Sequence, residues 1–223
     1  MTFFDLPKVQ LKWAVVRLKG HRFSLAVSAV SLVASASTAC HREPPLQINY
    51  VARITDARAS KDAALQNGRD PVPQDLKTTL LPLVYYAVDE QYNVPAVLKP
   101  SNDARTLQMV YSDGAIQDVR RVGTLEFLLN RQSLSLGAFV EVQAANLDHL
   151  FVPFADLTNG TETYPSGRLL DLQRTSTGLY EMDFNLAYNP SCYFSPKYSC
   201  PIPPKENRLP VSVYAGEKIK GNK

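Results

Sequence analysis

Long apolar runs are missing from this chain of 223 residues. The mainly apolar stretch from Phe23 to Val33 falls well short of the ~20 residues that a membrane-spanning helix needs, which excludes a transmembrane anchor there. Cysteine is scarce, at three residues, and so is histidine, also at three. Beyond the N-terminal segment only His41 and His149 remain, at no zinc spacing, so no metal centre is expected. His149 follows Asp148 and precedes an apolar segment, the position of a turn residue rather than of a general base. Also absent are a Gly-x-Ser-x-Gly elbow, a phosphate loop and a His-Glu-x-x-His helix. No cofactor is implied.

An excess of one charge sign is lacking too. The formal net charge of +3 comes from residues 1–39, which hold Lys8, Lys12, Arg17, Lys19 and Arg22 against Asp5. Setting those five cations aside from 24, and Asp5 from 21, leaves 19 basic against 20 acidic residues. With no basic cluster interleaved with aromatics, nucleic-acid binding is not expected.

What is present begins with a leader. The basic stretch, the short apolar run and the small residues Ala34 to Ala39 make residues 1–39 an export signal. Ser37-Thr38-Ala39-Cys40 resembles the end of a bacterial lipoprotein signal, which points to lipidation of Cys40. Plain cleavage after Ala36 or Ala39 is the alternative. A lipid at Cys40 would tether the chain to a bacterial membrane surface, in the periplasm or on the outside. Cys192 and Cys200 then form an even pair, which in an exported protein reads as a disulfide closing a short loop.

Residues 40–69 read as a spacer and one helix. Ile48, Val51, Ile54 and Ala57 recur at helical spacing from Gln47 to about Leu65, and Asn67-Gly68 is a stop. Residues 70–220 read as a single β-rich domain. Strands are expected at 83–88, 106–111, 115–119, 123–128, 133–136, 139–143, 150–154, 168–172, 179–184 and 209–214, with Ser112-Asp113-Gly114 as a turn. Many short strands without alternating helices predict a mainly β fold, an antiparallel sandwich or partly open barrel with one N-terminal helix.

Three segments carry a resemblance: Phe151-Val-Pro-Phe154 through Asp156, Thr158, Gly160, Glu162 and Tyr164 to Gly167-Arg168; Asp183-Phe-Asn185 through Tyr188-Asn189 to Cys192; and Cys200-Pro-Ile-Pro-Pro204 to Glu206-Asn207. With the closing Ala215-Gly-Glu-Lys218, they resemble the bacterial domain-of-unknown-function family 1684 over about residues 70–218. The chain departs from it at Leu81-Pro-Leu83 and at Leu169-Leu170. The resemblance implies no mechanism.

The same segments hold the candidate site: Tyr164, Arg168, Asp183, Asn185, Tyr188, Asn189, Glu206 and Asn207. Arg168 could present a planar fork to a carboxylate or phosphate, or pair internally with Asp183 or Glu206. Asp183 and Asn185, two apart on a strand, share a face and could bond a small polar or carbohydrate-like ligand, or satisfy nearby loop amides. Three functions follow as expectations. The first is a non-enzymatic envelope module binding such a ligand or a protein. The second is a hydrolase using carboxylates among Asp183, Glu206 and Glu217. The third is a purely structural domain.

Overall fold

A computed structural model describes residues 49–68, 70–101 and 106–221. The expected export signal, Cys40 and the spacer up to residue 48 lie outside the described residues. Helix α1 spans Tyr50–Asn67, and the Asn49 side chain accepts the Val51 N–H at its start. A single turn, α2, follows at Lys77–Leu80. Seven strands come next: β1 Asn93–Pro100, β2 Thr106–Val110, β3 Ile116–Leu129, β4 Gln132–Val140, β5 His149–Phe154, β6 Arg168–Gln173 and β7 Tyr180–Asp183.

All seven strands join one antiparallel sheet in the order β6-β5-β4-β3-β1-β7, with β2 added to the first half of β3. The two ends of that order, β6 and β7, contact each other, so the sheet curls into a nearly closed barrel. Alternation fills the inside. Val94 and Ala96 of β1, Leu125 and Phe127 of β3, and Leu136 and Ala138 of β4 point inward; so do Val152 of β5, Leu170 of β6 and Met182 of β7. A second, smaller cluster of Leu65, Val72, Leu81, Leu83 and Phe194 sits at the base of α1.

The mainly β architecture with one N-terminal helix follows the pattern in the sequence, but several strands differ from expectation. The segments 115–119 and 123–128 form one strand, β3, with a register shift between Arg121 and Gly123. That irregularity needs glycine, because a Cβ on Gly123 would lie 2.2 Å from the Lys99 carbonyl oxygen. The segments 133–136 and 139–143 likewise merge into β4. The β3–β4 connection is a two-residue turn, with Asn130 and Arg131 both at positive φ.

The expected strand at 209–214 is irregular loop, and 83–88 keeps one bridge, Tyr85 to Glu217. β1 was not among the expected strands, and it contains Pro95 and Pro100. Each proline sits where only one neighbouring strand is in register: Pro95 beside β7 and Pro100 beside β3. The missing N–H therefore breaks no two-sided ladder.

Candidate functional site

The candidate residues do not gather at one place. They divide into an arginine lock, an amide bridge, a thiol pair and a polar cluster beneath α1.

The lock forms where β6 begins. Arg168 is fully buried, at 0% exposed, and its guanidinium lies 5.3 Å from the Phe154 ring centroid. Nη2 donates to Asp156 Oδ2 at 2.7 Å and to the Val213 carbonyl at 3.0 Å. Nη1 donates to the Ala215 carbonyl and, at 3.3 Å, to that of Glu217. The internal partner is thus Asp156 rather than Asp183 or Glu206. Asp156 is set by its own turn: its Oδ1 accepts the Thr158 N–H at 2.6 Å and the Thr158 hydroxyl at 2.5 Å. The Asp-x-Thr spacing, a side-chain turn signal, could have pointed to it. Arg168 thus takes the backbone carbonyls of Val213, Ala215 and Glu217.

Asn207 makes the bridge. β4 and β5 share a single register pair, Phe139 with Phe151. The fully buried Asn207 amide fills the seam beyond it. Its Oδ1 accepts the Gly137 N–H at 2.6 Å, and its Nδ2 donates to the carbonyls of Gly137 at 2.9 Å and Pro153 at 2.7 Å. The neighbouring Glu206 is exposed, with Arg121 Nη1 3.7 Å away.

Cys192 and Cys200 come together as free thiols, with the Cys192 N–H donating to Cys200 Sγ at 3.0 Å. Cys192 is half-buried and Cys200 buried. The Tyr164 hydroxyl lies 3.8 Å from Cys192 Sγ, and the Tyr164 ring meets that of Tyr193 edge-on at 5.6 Å. The hydrogen bond from Cys200 lowers the Cys192 thiol to about 6, while the same contact and burial push Cys200 up. Burial pushes the Tyr164 hydroxyl up to about 12, so it stays a neutral donor. In reduced protein, iodoacetamide should therefore label Cys192 with a rate midpoint near pH 6, against about 8.5 for an ordinary cysteine, and should spare Cys200 until unfolding. A midpoint at or above about 8 would contradict this pairing.

The remaining residues lie beneath α1. Asp183 ends β7, and its Oδ1 accepts the N–H of Asn185 at 3.0 Å and its Nδ2 at 3.1 Å. The Tyr50 hydroxyl donates to the same oxygen at 2.8 Å, and Arg53 approaches Oδ2 at 3.4 Å. Asn185 also exchanges bonds with the Asp89 backbone, Nδ2 to O at 2.7 Å and N to Oδ1 at 3.0 Å. Glu217 accepts the Asn189 N–H at 2.8 Å and pairs with Lys61. Asn189 Nδ2 donates to the Lys218 carbonyl at 3.1 Å, and the Tyr188 hydroxyl to Asp171 at 2.8 Å. Burial raises the hydroxyls of Tyr50, Tyr85 and Tyr188 above the ordinary tyrosine value, so all three remain protonated.

The α1 residues here, Tyr50, Arg53, Arg58 and Lys61, had no signal in the sequence, because their hydrogen-bond and ion-pair partners lie more than a hundred positions away or are main-chain atoms. Of the three carboxylates weighed for catalysis, Asp183 and Glu217 both face α1 and Glu206 does not. Among the described residues, no group of three or more His, Cys, Asp or Glu is placed to hold a metal. Two shallow surface depressions, one around Asp148 and Arg174 and one around Val97 and Leu128, include none of the candidate residues.

A nearly closed antiparallel barrel, its C-terminal loops fastened by a buried arginine and a buried amide, defines the class of protein. The chain belongs to the family described as protein of unknown function (DUF1684), which matches residues 79–218. It is also similar to an uncharacterised protein of Haloarcula marismortui whose structure was solved in solution by NMR. The two share 33% identity over 74% of this chain and 92% of that one, with a TM-score of 0.60. No curated protein matches.

Proposed function

We propose that this chain is an exported, lipid-anchored module of the bacterial envelope that acts by holding a partner rather than by catalysis. In this reading the long motif is a fold lock. The supporting observation is that its polar groups close on the chain itself: Arg168, Asp183, Asn185 and Asn207 are all buried and bonded to internal partners. A hydrolase needs two carboxylates facing one open cleft. Asp183 and Glu217 instead lie buried against cations of α1, and Glu206 is elsewhere. A small polar or carbohydrate-like ligand would fall to the half-exposed Tyr164 and Tyr188, whose hydroxyls face Cys192 and Asp171 respectively.

Lipidation of Cys40 supplies the anchor, and the basic leader followed by small residues supports it. Export would also let Cys192 and Cys200, already side by side, close as a disulfide; the alkylation described above would then require prior reduction. In cells, Cys40→Ala should move the protein from the membrane fraction to the soluble one. Screened by thermal shift against saccharides and small polar ligands, that soluble variant should show no stabilisation. Retention at the membrane would remove the anchor. A stabilising ligand whose effect vanishes in Tyr164→Phe or Tyr188→Phe would replace the partner-holding reading with ligand binding.

A further inference from the structure

Cys192 and Cys200 differ in what can reach them. Cys192 is half-buried, in the short turn Ser191–Tyr193, while Cys200 is 5% exposed. The Cys192 N–H donates to Cys200 Sγ at 3.0 Å, and the Tyr164 hydroxyl lies 3.8 Å from Cys192 Sγ. One thiol is therefore open to an incoming molecule, and the other waits directly behind it. A half-buried sulfur beside Tyr164 and Tyr193 is more accessible to a small molecule than to a sulfur held in a folded protein.

The segment that carries the two sulfurs is fastened without a bond between them. At one end, the Cys200 N–H donates to Ser112 Oγ at 3.1 Å, the Ser112 N–H to the Cys200 carbonyl at 2.8 Å and the Ile202 N–H to the Val110 carbonyl at 2.9 Å. At the other, the Tyr193 ring meets those of Tyr164 and Phe194 edge-on, at 5.6 and 4.9 Å, and its hydroxyl accepts the Lys220 N–H at 2.9 Å. Phe194 is buried in the cluster with Leu81 and Leu83. The cysteines are eight positions apart, and a cross-link over so short a loop constrains the unfolded chain less than one over a long loop. Opening such a link therefore leaves the fold in place, as a reversible redox pair requires.

We propose that Cys192 and Cys200 form a thiol–disulfide exchange site for a small organic disulfide, with Cys192 as the attacking sulfur and Cys200 as the resolving one. The site rests on the pairing of the two cysteines described above, and requires neither the lipid anchor nor a held partner. The Cys192 thiolate attacks one sulfur of the substrate R–S–S–R. A Cys192–S–R bond forms, the substrate S–S bond breaks, and the departing thiolate takes up the proton that Cys192 lost. The Cys200 thiol then gives up its proton and attacks Cys192 Sγ. The bond from Cys192 to R–S breaks, and the second departing thiolate takes that proton. The substrate gains two electrons and becomes two thiols; the protein keeps one internal disulfide, which excess thiol opens by the reverse steps. The surroundings suit each step. The hydrogen bond from Cys200 and the Tyr164 hydroxyl favour a thiolate at Cys192. Once Cys192 carries R–S, the contact that pushes Cys200 up is lost, while the Cys192 N–H still favours a thiolate at Cys200.

The test uses the full chain with Cys40→Ala, which leaves these two of the three cysteines, and glutathione disulfide as the probe, read by mass spectrometry. The reduced chain should finish with an internal disulfide and no bound glutathione. Adding Cys200→Ser should stop the reaction at one bound glutathione. Adding Cys192→Ser instead should slow it at least about tenfold, because Cys200 is buried. In about 10 mM reduced glutathione the oxidised chain should return to two thiols with its circular dichroism unchanged. Equal rates for the two serine variants, or a glutathione adduct that persists when both cysteines are present, would overturn the proposal. So would an internal disulfide that stays closed in reduced glutathione until the chain unfolds, which would make the pair a structural staple. Membrane fractionation of the natural chain bears on the anchor alone, so the two readings fail separately.

Discussion

Arg168→Met should lower the unfolding free energy by about 4 kcal/mol, read as a fall in the denaturant midpoint at an unchanged slope. Removing the guanidinium leaves the Asp156 carboxylate buried without its counter-ion and strips donors from the carbonyls of Val213, Ala215 and Glu217. Taking one partner from a buried ion pair costs about 3–5 kcal/mol, and each unsatisfied carbonyl adds to that unless water reaches it. Methionine keeps the chain's bulk against Phe154, so the loss reports polar bonding rather than a cavity. Arg168→Lys should recover little, because one ammonium cannot serve a carboxylate and three carbonyls spread around a planar fork. A loss below about 1 kcal/mol would show that the lock is not what fastens the C-terminal loops.

The second large effect is expected at Gly216, in the closing Ala215-Gly-Glu-Lys218 segment. Its φ is +80°, and a Cβ there would sit 2.6 Å from the Ala187 carbonyl oxygen and 2.7 Å from that of Phe184. Those are backbone atoms that no side-chain rotation can move. Gly216→Ala should therefore combine about 1–2 kcal/mol of left-handed strain with about 1–3 kcal/mol of forced repacking. Gly160 supplies the control: its φ is +82°, but nothing lies within 4 Å of a Cβ built there. Gly160→Ala should cost the strain alone, about 1 kcal/mol. Comparable melting temperatures for the two variants would refute the close approach at Gly216.

The fold was legible where one rule governed a segment. Period-two alternation located β2, β5 and β6 within a residue or two, and Asn67-Gly68 marked the end of α1. It failed where a side chain or a neighbouring strand decided. Pro95 and Pro100 argue against a strand by local pattern, yet β1 tolerates them because each lacks a second neighbour in register. Gly137 reads as a break inside β4, but it is the point at which Asn207 reaches the backbone from 70 positions away. Leu209 to Tyr214 alternates like a strand, while the Val213 carbonyl goes to Arg168 instead.

The candidate site shows the same division. The motif residues were identifiable by type, and their burial gives many of them a shared structural reason to be there. Their grouping was not legible, because Arg168 met Asp156, and Asp183 met Tyr50 and Arg53, through chain reversals that no local pattern encodes. The cations of α1 stood in plain sight as surface charges on a helix and acquire meaning only once the carboxylates opposite them are known.

The seam between β4 and β5 has a consequence for how the chain is made. Its last backbone bonds are supplied by Asn207, and the buried arginine of β6 waits for carbonyls at 213–217. α1, at the other end of the described chain, finds Asp183 only 133 positions later. Both closing elements follow all seven strands in sequence, so an elongating or truncated chain that stops short of Asn207 carries an open seam. Closure of the sheet along this seam therefore waits for residues 207–217, however early the strands themselves pair.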